Sequence, residues 1–199
     1  MAFNLDQFRN NLKDGGARPS LFEAELRWPQ SVTTGVDAAA ASRFMVKVAE
    51  LPASTMAPIA VGYFGRKLNV IGDRTFAPLT VTIINDEDFL IRRALEEWID
   101  RMAGADSAVS QYRGGSTDGG YTTTLDVTQF GRQGEGQRLR TYQFMGAFPT
   151  ELAAIPLGWD TTDAIEEYTC TFTYQWWEVR GDIPTREAPL VNIDTNVTV

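Results

Sequence analysis

The chain has 199 residues, 43% hydrophobic and 22% charged, a size and mix that fill one core and fall short of two. Eighteen Lys and Arg stand against 26 Asp and Glu, and with no histidine the net charge is −8, the wrong sign for a protein that grips phosphate backbones. Without imidazole there is no Ser-His-Asp or Cys-His nucleophile system, and Cys170 alone can build neither an intramolecular disulfide nor a Cys-rich zinc site, so composition points to a binding or structural role with no cofactor or metal.

No apolar run approaches the roughly 20 residues needed to cross a bilayer, and Met1 to Lys13 alternates apolar with polar residues instead of forming a signal-peptide core. A soluble protein made in the cytoplasm, without membrane insertion, is the expectation. In chain order, residues 1–16 read as an N-terminal arm: Leu5, Phe8 and Leu12 share a helical face and Gly15-Gly16 ends it. From Phe22 the period becomes two, with Phe22, Ala24, Leu26 and Trp28 on one face and Glu23, Glu25 and Arg27 on the other. Residues 30–42, rich in Ser, Thr and Ala, read as a loop. A second strand is expected over Phe44, Val46 and Val48, a short third at 61–64, a turn at Gly65 to Lys67, a strand over Leu68 to Ile71, and another over Phe76 to Asn85.

The spacing predicts one packed helix at about 86–102, capped by Asn85 or Asp86 and buried through Ile91, Leu95, Trp98 and Met102. Residues 103–120, with five glycines and little to bury, read as a mobile loop. Three strong strands follow, Tyr121 to Phe130, Leu139 to Phe148 and Glu167 to Val179, the first two joined through the glycines of 131–137. In the last, Tyr168, Cys170, Phe172, Tyr174 and Trp176 alternate with Thr169, Thr171, Thr173 and Gln175. The tail from Gly181 reads as extended. Seven or eight strands and no βαβ rhythm give a mainly β fold, an antiparallel sandwich or barrel with one packed helix, in one domain with a core over 17–180.

The acid pairs Asp86 and Asp88, Glu96 and Glu97, and Glu166 and Glu167 are the minimum equipment of a glycosidase, but each fits a helix start, a mid-helix face or a strand start better. The glycines at 131, 134 and 136 and at 114–115 lack the strand-to-helix setting and the Gly-Lys-Ser/Thr end of a phosphate loop. Arg138 and Arg140 read as edge protection. Five tryptophans leave open a carbohydrate-binding sandwich, although Trp176 and Trp177 must diverge within a strand.

The ordered set Gly15-Gly16-Ala17-Arg18-Pro19-Ser20-Leu21-Phe22, Leu51-Pro52, Gly65-Arg66, Asn85-Asp86-Glu87-Asp88-Phe89 with Trp98, Tyr142-Gln143-Phe144-Met145-Gly146-Ala147-Phe148-Pro149 and Phe172-Thr173-Tyr174-Gln175-Trp176-Trp177 resembles the tail tube proteins of contractile-tailed phages of the T-even type. A similar fold serves type VI secretion tubes. The resemblance covers most of 1–180 and implies a non-enzymatic virion subunit, built in the host cytoplasm, that forms stacked hexameric rings inside a sheath. Its implied partners are copies of itself, the sheath, baseplate and terminator proteins, a tape measure protein in the lumen, and double-stranded DNA that passes without specific binding. A baseplate tube initiator or an injection-device tube is the nearest alternative. On that footing Phe3, Leu5 and Phe8, with loop 103–120 and the C-terminal tail, are candidate inter-ring contacts. The uncharged Thr80, Thr82, Thr169, Thr171 and Thr173 are the candidate lumen or inter-subunit face.

Overall fold

A computed structural model describes residues 5–12, 16–104, 120–132, 138–160 and 162–180. Phe3, nearly all of the glycine-rich 103–120 segment and the tail from 181 lie outside them. The elements are α1 (Leu5–Asn11), β1 (Phe22–Glu25), α2 (Gly35–Met45), β2 (Val46–Ala49), β3 (Ser54–Tyr63), β4 (Arg66–Phe76), β5 (Leu79–Ile84), α3 (Leu90–Met102), β6 (Thr123–Phe130), β7 (Arg138–Leu152), β8 (Glu167–Thr173) and β9 (Trp176–Arg180).

Two antiparallel layers share one long strand. The first part of β7 lies between β6 and β9, with β1 beyond β6; its last part pairs with β8, followed by β5 and β2. The crossing comes at Gly146, whose φ of +65° is a turn in direction that a side chain resists. The predicted strand over 167–179 is therefore two strands. Gln175 leaves the ladder and donates its amide to the Met145 carbonyl at 2.9 Å, and the chain passes from the β8 pairing to the β9 pairing. Tyr168, Cys170, Phe172 and Tyr174 are buried as expected, but after the break Trp176 turns out and Trp177 turns in.

The core lies between the layers, where the period-two positions meet: Ala24 and Leu26 from the β1 region, Leu125 and Val127 from β6, Phe144 and Ala147 from β7, and Leu79, Val81 and Ile83 from β5. Each large side chain so buried contributes roughly 1.5–3 kcal/mol. α3 presses Ile91, Ala94, Leu95 and Trp98 into the same core, with the Trp98 ring 6.2 Å from Phe172 and its indole N–H donating to the Tyr121 carbonyl at 2.8 Å. This helix begins at Leu90, four residues later than expected. Asp86 does serve its start, since its carboxylate accepts the Leu90 amide at 3.2 Å, but residues 86–89 form a turn with Phe89 at φ +53°.

The expected loop at 30–42 is largely α2, a correction with an identifiable cause. Its Ala-rich sequence has high helix propensity, Asp37 and Arg43 suit the ends of the dipole, and the Thr33 amide and hydroxyl are held by Glu97 of α3. Ser42, fully buried, accepts the Leu26 amide at 3.0 Å and donates to the Ala39 carbonyl at 2.8 Å, which satisfies a donor that β1 leaves behind where it ends. Phe44, expected on the second strand, is helical and exposed instead.

Candidate self-assembly surface

The short strands expected around 61–71 are a single hairpin of β3 and β4, paired from Ser54–Phe76 to Tyr63–Arg66 and hydrogen-bonded to neither layer. With ten residues on β3 it reaches about 33 Å at roughly 3.3 Å per residue. Its two-residue loop, Phe64 and Gly65, has both φ values positive, the arrangement of a type I′ turn.

Register sorts the hairpin's side chains. Ile59, Val61 and Tyr63 lie opposite Val70, Leu68 and Arg66, so five apolar groups share one face, while Pro58, Ala60 and Gly62 share the other with Ile71, Asn69 and Lys67. All five are exposed, from 47% for Val70 to 72% for Tyr63. Between Met56 and Pro58 the register shifts, so Gly72 and Asp73 of β4 span the place of Ala57 alone. This bulge moves Arg74 and Phe76 off the aliphatic face. Phe76 then packs on Tyr174 at 6.1 Å, tying the hairpin's root to the core.

The sequence reading missed this face because exposed Ile, Val and Leu at strand spacing look like core residues.

The two sets of threonines stand side by side. Thr80 stands opposite Thr171 and Thr82 opposite Thr169 on the outward side of β5 and β8, with the Thr80 and Thr171 hydroxyls 3.4 Å apart. Thr169 and Thr173 are exposed, and Thr150 donates to the Thr171 carbonyl at 3.1 Å. The strip carries Val48 at its β2 end and charges at Glu151 and Glu167. Leu5 and Phe8 of α1 are both more than 60% exposed, and Phe3 lies outside the described residues. Among the described residues β1, β2 and β9 each pair on one side only, which leaves an edge open on each.

The acid pairs do not converge. Glu96 pairs with Arg92, Glu166 accepts from the Asn85 amide, and Glu167 meets Lys47. Partial burial raises the Glu97 carboxyl, but hydrogen bonds from the Thr33 amide, from Arg101 and from the Thr33 and Thr34 hydroxyls outweigh it and hold the group below the usual carboxylate range. Burial pushes the Cys170 thiol up to about 12, so it is an unreactive core group at neutral pH. The tryptophans are scattered: Trp98 is fully buried, Trp28 half-buried against Gly35, Trp177 half-buried beside Tyr142, and Trp159 and Trp176 exposed. Among the described residues no group of acids and cysteines is placed to hold a metal, and no helix is long and apolar enough to cross a membrane.

A family model for the phage tail tube protein matches residues 17–180. The tail tube protein gp19 of Enterobacteria phage T4 is 30% identical over 162 residues, 81% of this chain and 91% of that protein, and its phage T6 counterpart matches equally. The tail tube protein of Serratia phage KSP90 is 23% identical over 175 residues, 85% of this chain and 93% of that one. Among solved structures, the tube-terminating cap of the anti-feeding prophage superposes with a TM-score of 0.57 at 14% identity, covering 82% of this chain and 90% of that one. The sheath/tube terminator of the PVC extracellular contractile injection system gives 0.53 at 13% identity, covering 81% and 94%. At those identities the likeness is one of fold.

Proposed function

The chain belongs to the phage tail tube protein family, and on that premise we propose that it assembles as stacked hexameric rings into the inner tube of a contractile tail and that this tube conducts the genome into the host. The observation that carries the proposal is the hairpin's aliphatic face. A two-stranded hairpin alone is marginal in water, and a contiguous apolar face on a soluble chain marks a contact surface. A second copy is the occupant that a repeating tube always supplies. The open edges of β1, β2 and β9 fit the same account, because ring closure completes a ladder that a lone subunit leaves unfinished.

Phe3, Leu5 and Phe8, the 103–120 segment and the C-terminal tail join the hairpin as contacts between rings. The threonine face of β5 and β8 lines the bore or the contact between subunits of a ring. Its threonines carry no charge and Lys47 at its margin is paired with Glu167, which suits a wall past which phosphates slide, and six chains at −8 give −48 per ring (6 × −8), the sign that repels DNA. The role is structural and non-enzymatic. The sheath surrounds the tube, baseplate and terminator proteins bound its ends, and a tape measure protein occupies the lumen before ejection. The coverage of 91% of phage T4 gp19 favours the repeating subunit over a baseplate tube protein.

Electron microscopy of the purified full chain tests the reading. Rings or hollow rods are expected, and a variant lacking residues 1–12 should keep the wild-type circular dichroism spectrum yet fail to polymerise. Dispersed monomers at high concentration that bind soluble glycans would overturn it in favour of a carbohydrate-binding sandwich.

A further inference from the structure

A lever about 33 Å long turns a tilt of about 10° at its root into a displacement of about 6 Å at its tip, more than the spacing between adjacent strands of about 4.8 Å. A hairpin that docks on another copy therefore needs a fixed angle, not merely a fold. Its root is restrained on both sides. Pro52 and Pro78 flank the entry and exit of the hairpin, where the Ala77 amide meets the Ala53 carbonyl at 3.5 Å, and proline narrows the backbone at both points.

Between root and body stands Arg74. Its guanidinium carbon lies 4.9 Å from the centroid of the Phe76 ring and 4.9 Å from that of Trp177, and its Nη2 donates to the Ser54 hydroxyl at 3.2 Å. Phe76 and Ser54 belong to the hairpin and Trp177 to β9, so one cation bridges the two bodies. The Trp177 ring is itself braced edge-on by Tyr142 at 5.7 Å. The bridge exists only because of the bulge at Gly72. With unbroken alternation Arg74 and Phe76 would together share the face of Leu68 and Val70, pointing away from Trp177 of β9.

We propose that Arg74 is a positioning residue for assembly: clasped between Phe76 and Trp177, it sets the angle at which the hairpin leaves the body, and through that angle the ability of the aliphatic face to meet a second copy. The inference rests on the reading of the hairpin as a contact between copies. A planar guanidinium can stack on two rings at once, whereas the compact ammonium of lysine keeps the charge but loses the flat contact.

The test compares full-length Arg74→Ala, Arg74→Lys, Trp177→Leu and Ile59→Lys/Leu68→Lys, each followed by thermal melting, amide hydrogen exchange over 54–76 in the unassembled protein, and polymerisation by sedimentation and electron microscopy. Arg74→Ala should melt close to wild type, exchange its hairpin amides faster, and need about tenfold more protein to polymerise, equivalent to one factor of ten in the assembly constant. Arg74→Lys should restore part of the loss, and Trp177→Leu should reproduce it. If Arg74→Ala and Trp177→Leu polymerise like wild type while Ile59→Lys/Leu68→Lys does not, Arg74 has no positioning role and the hairpin reading stands. If Ile59→Lys/Leu68→Lys also polymerises normally, the hairpin reading itself fails and this inference with it. Should Arg74→Ala fail to fold, normal polymerisation of Arg74→Lys and of Trp177→Leu would overturn the proposal.

Discussion

Gly146 and Gln175 meet where β7 passes from one layer to the other: a Cβ built on Gly146 would lie 2.9 Å from Gln175 Cγ, and the Gln175 amide donates to the carbonyl of the preceding Met145 at 2.9 Å. The crossing strand and the break between β8 and β9 are thus one feature, and each needs the other's geometry. Gly146→Ala places a side chain at φ +65° and drives it against Gln175. A loss of about 1–2 kcal/mol is expected from the backbone alone, seen as a thermal midpoint lowered by several degrees. A midpoint equal to wild type would mean that the crossing tolerates a side chain.

Glu97 predicts a pH dependence. Its folded carboxyl titrates below the ordinary glutamate value of 4.5, so the stabilisation is complete above that value and is lost as the pH falls through the folded one. Glu97→Gln keeps the shape but removes the charge that binds the Thr33 amide and Arg101. The variant should be less stable by about 1–2 kcal/mol at neutral pH, with the difference constant down to about pH 5 and shrinking at lower pH. Paired melting curves across pH 3–8 measure this, and a gap that does not narrow in acid would remove Glu97 as the origin.

Much of the fold is legible in the amino-acid order because local period and burial agree there. Ile91, Leu95 and Trp98 announce α3, and the alternation of β5 and β8 names its own inner face. α2 was hidden because it buries little, chiefly Ala38 and Ser42, and owes its start to a carboxylate more than sixty residues away. The break at Gln175 was hidden because alternation runs straight through it and the cause lies in β7. The apolar spacing of Leu5 and Phe8 and the threonine alternation are legible as pattern, while their roles as contacts stand as proposals. The hairpin face is not legible in this way, since nothing in Ile59 or Leu68 says whether its cover comes from its own chain or from another.

If the threonine face lines the bore, Thr169→Lys/Thr173→Lys places two cations per subunit where DNA passes, at positions already exposed. Tubes should still form, but genome ejection should slow and become salt-dependent, because every phosphate captured must be released against its counterions. Fluorescent-dye ejection assays at low and high salt measure it. Wild-type rates at both salts would assign the face to another contact.

Gly72 and Gly62 form a controlled pair on the hairpin. A Cβ on Gly72 would lie 2.1 Å from the Ala57 carbonyl oxygen, whereas one on Gly62 would meet nothing within 4 Å. Gly72→Ala must therefore open the bulge or slip the register, and a slip of one residue returns Arg74 and Phe76 together to the aliphatic side and removes Arg74 from Trp177. The body of the protein does not depend on this bulge, so Gly72→Ala should retain the wild-type thermal midpoint within a few degrees yet lose tube formation. Gly62→Ala should assemble normally. Equal assembly by both variants, judged by electron microscopy at matched concentration, would show that the bulge has no part in presenting the hairpin.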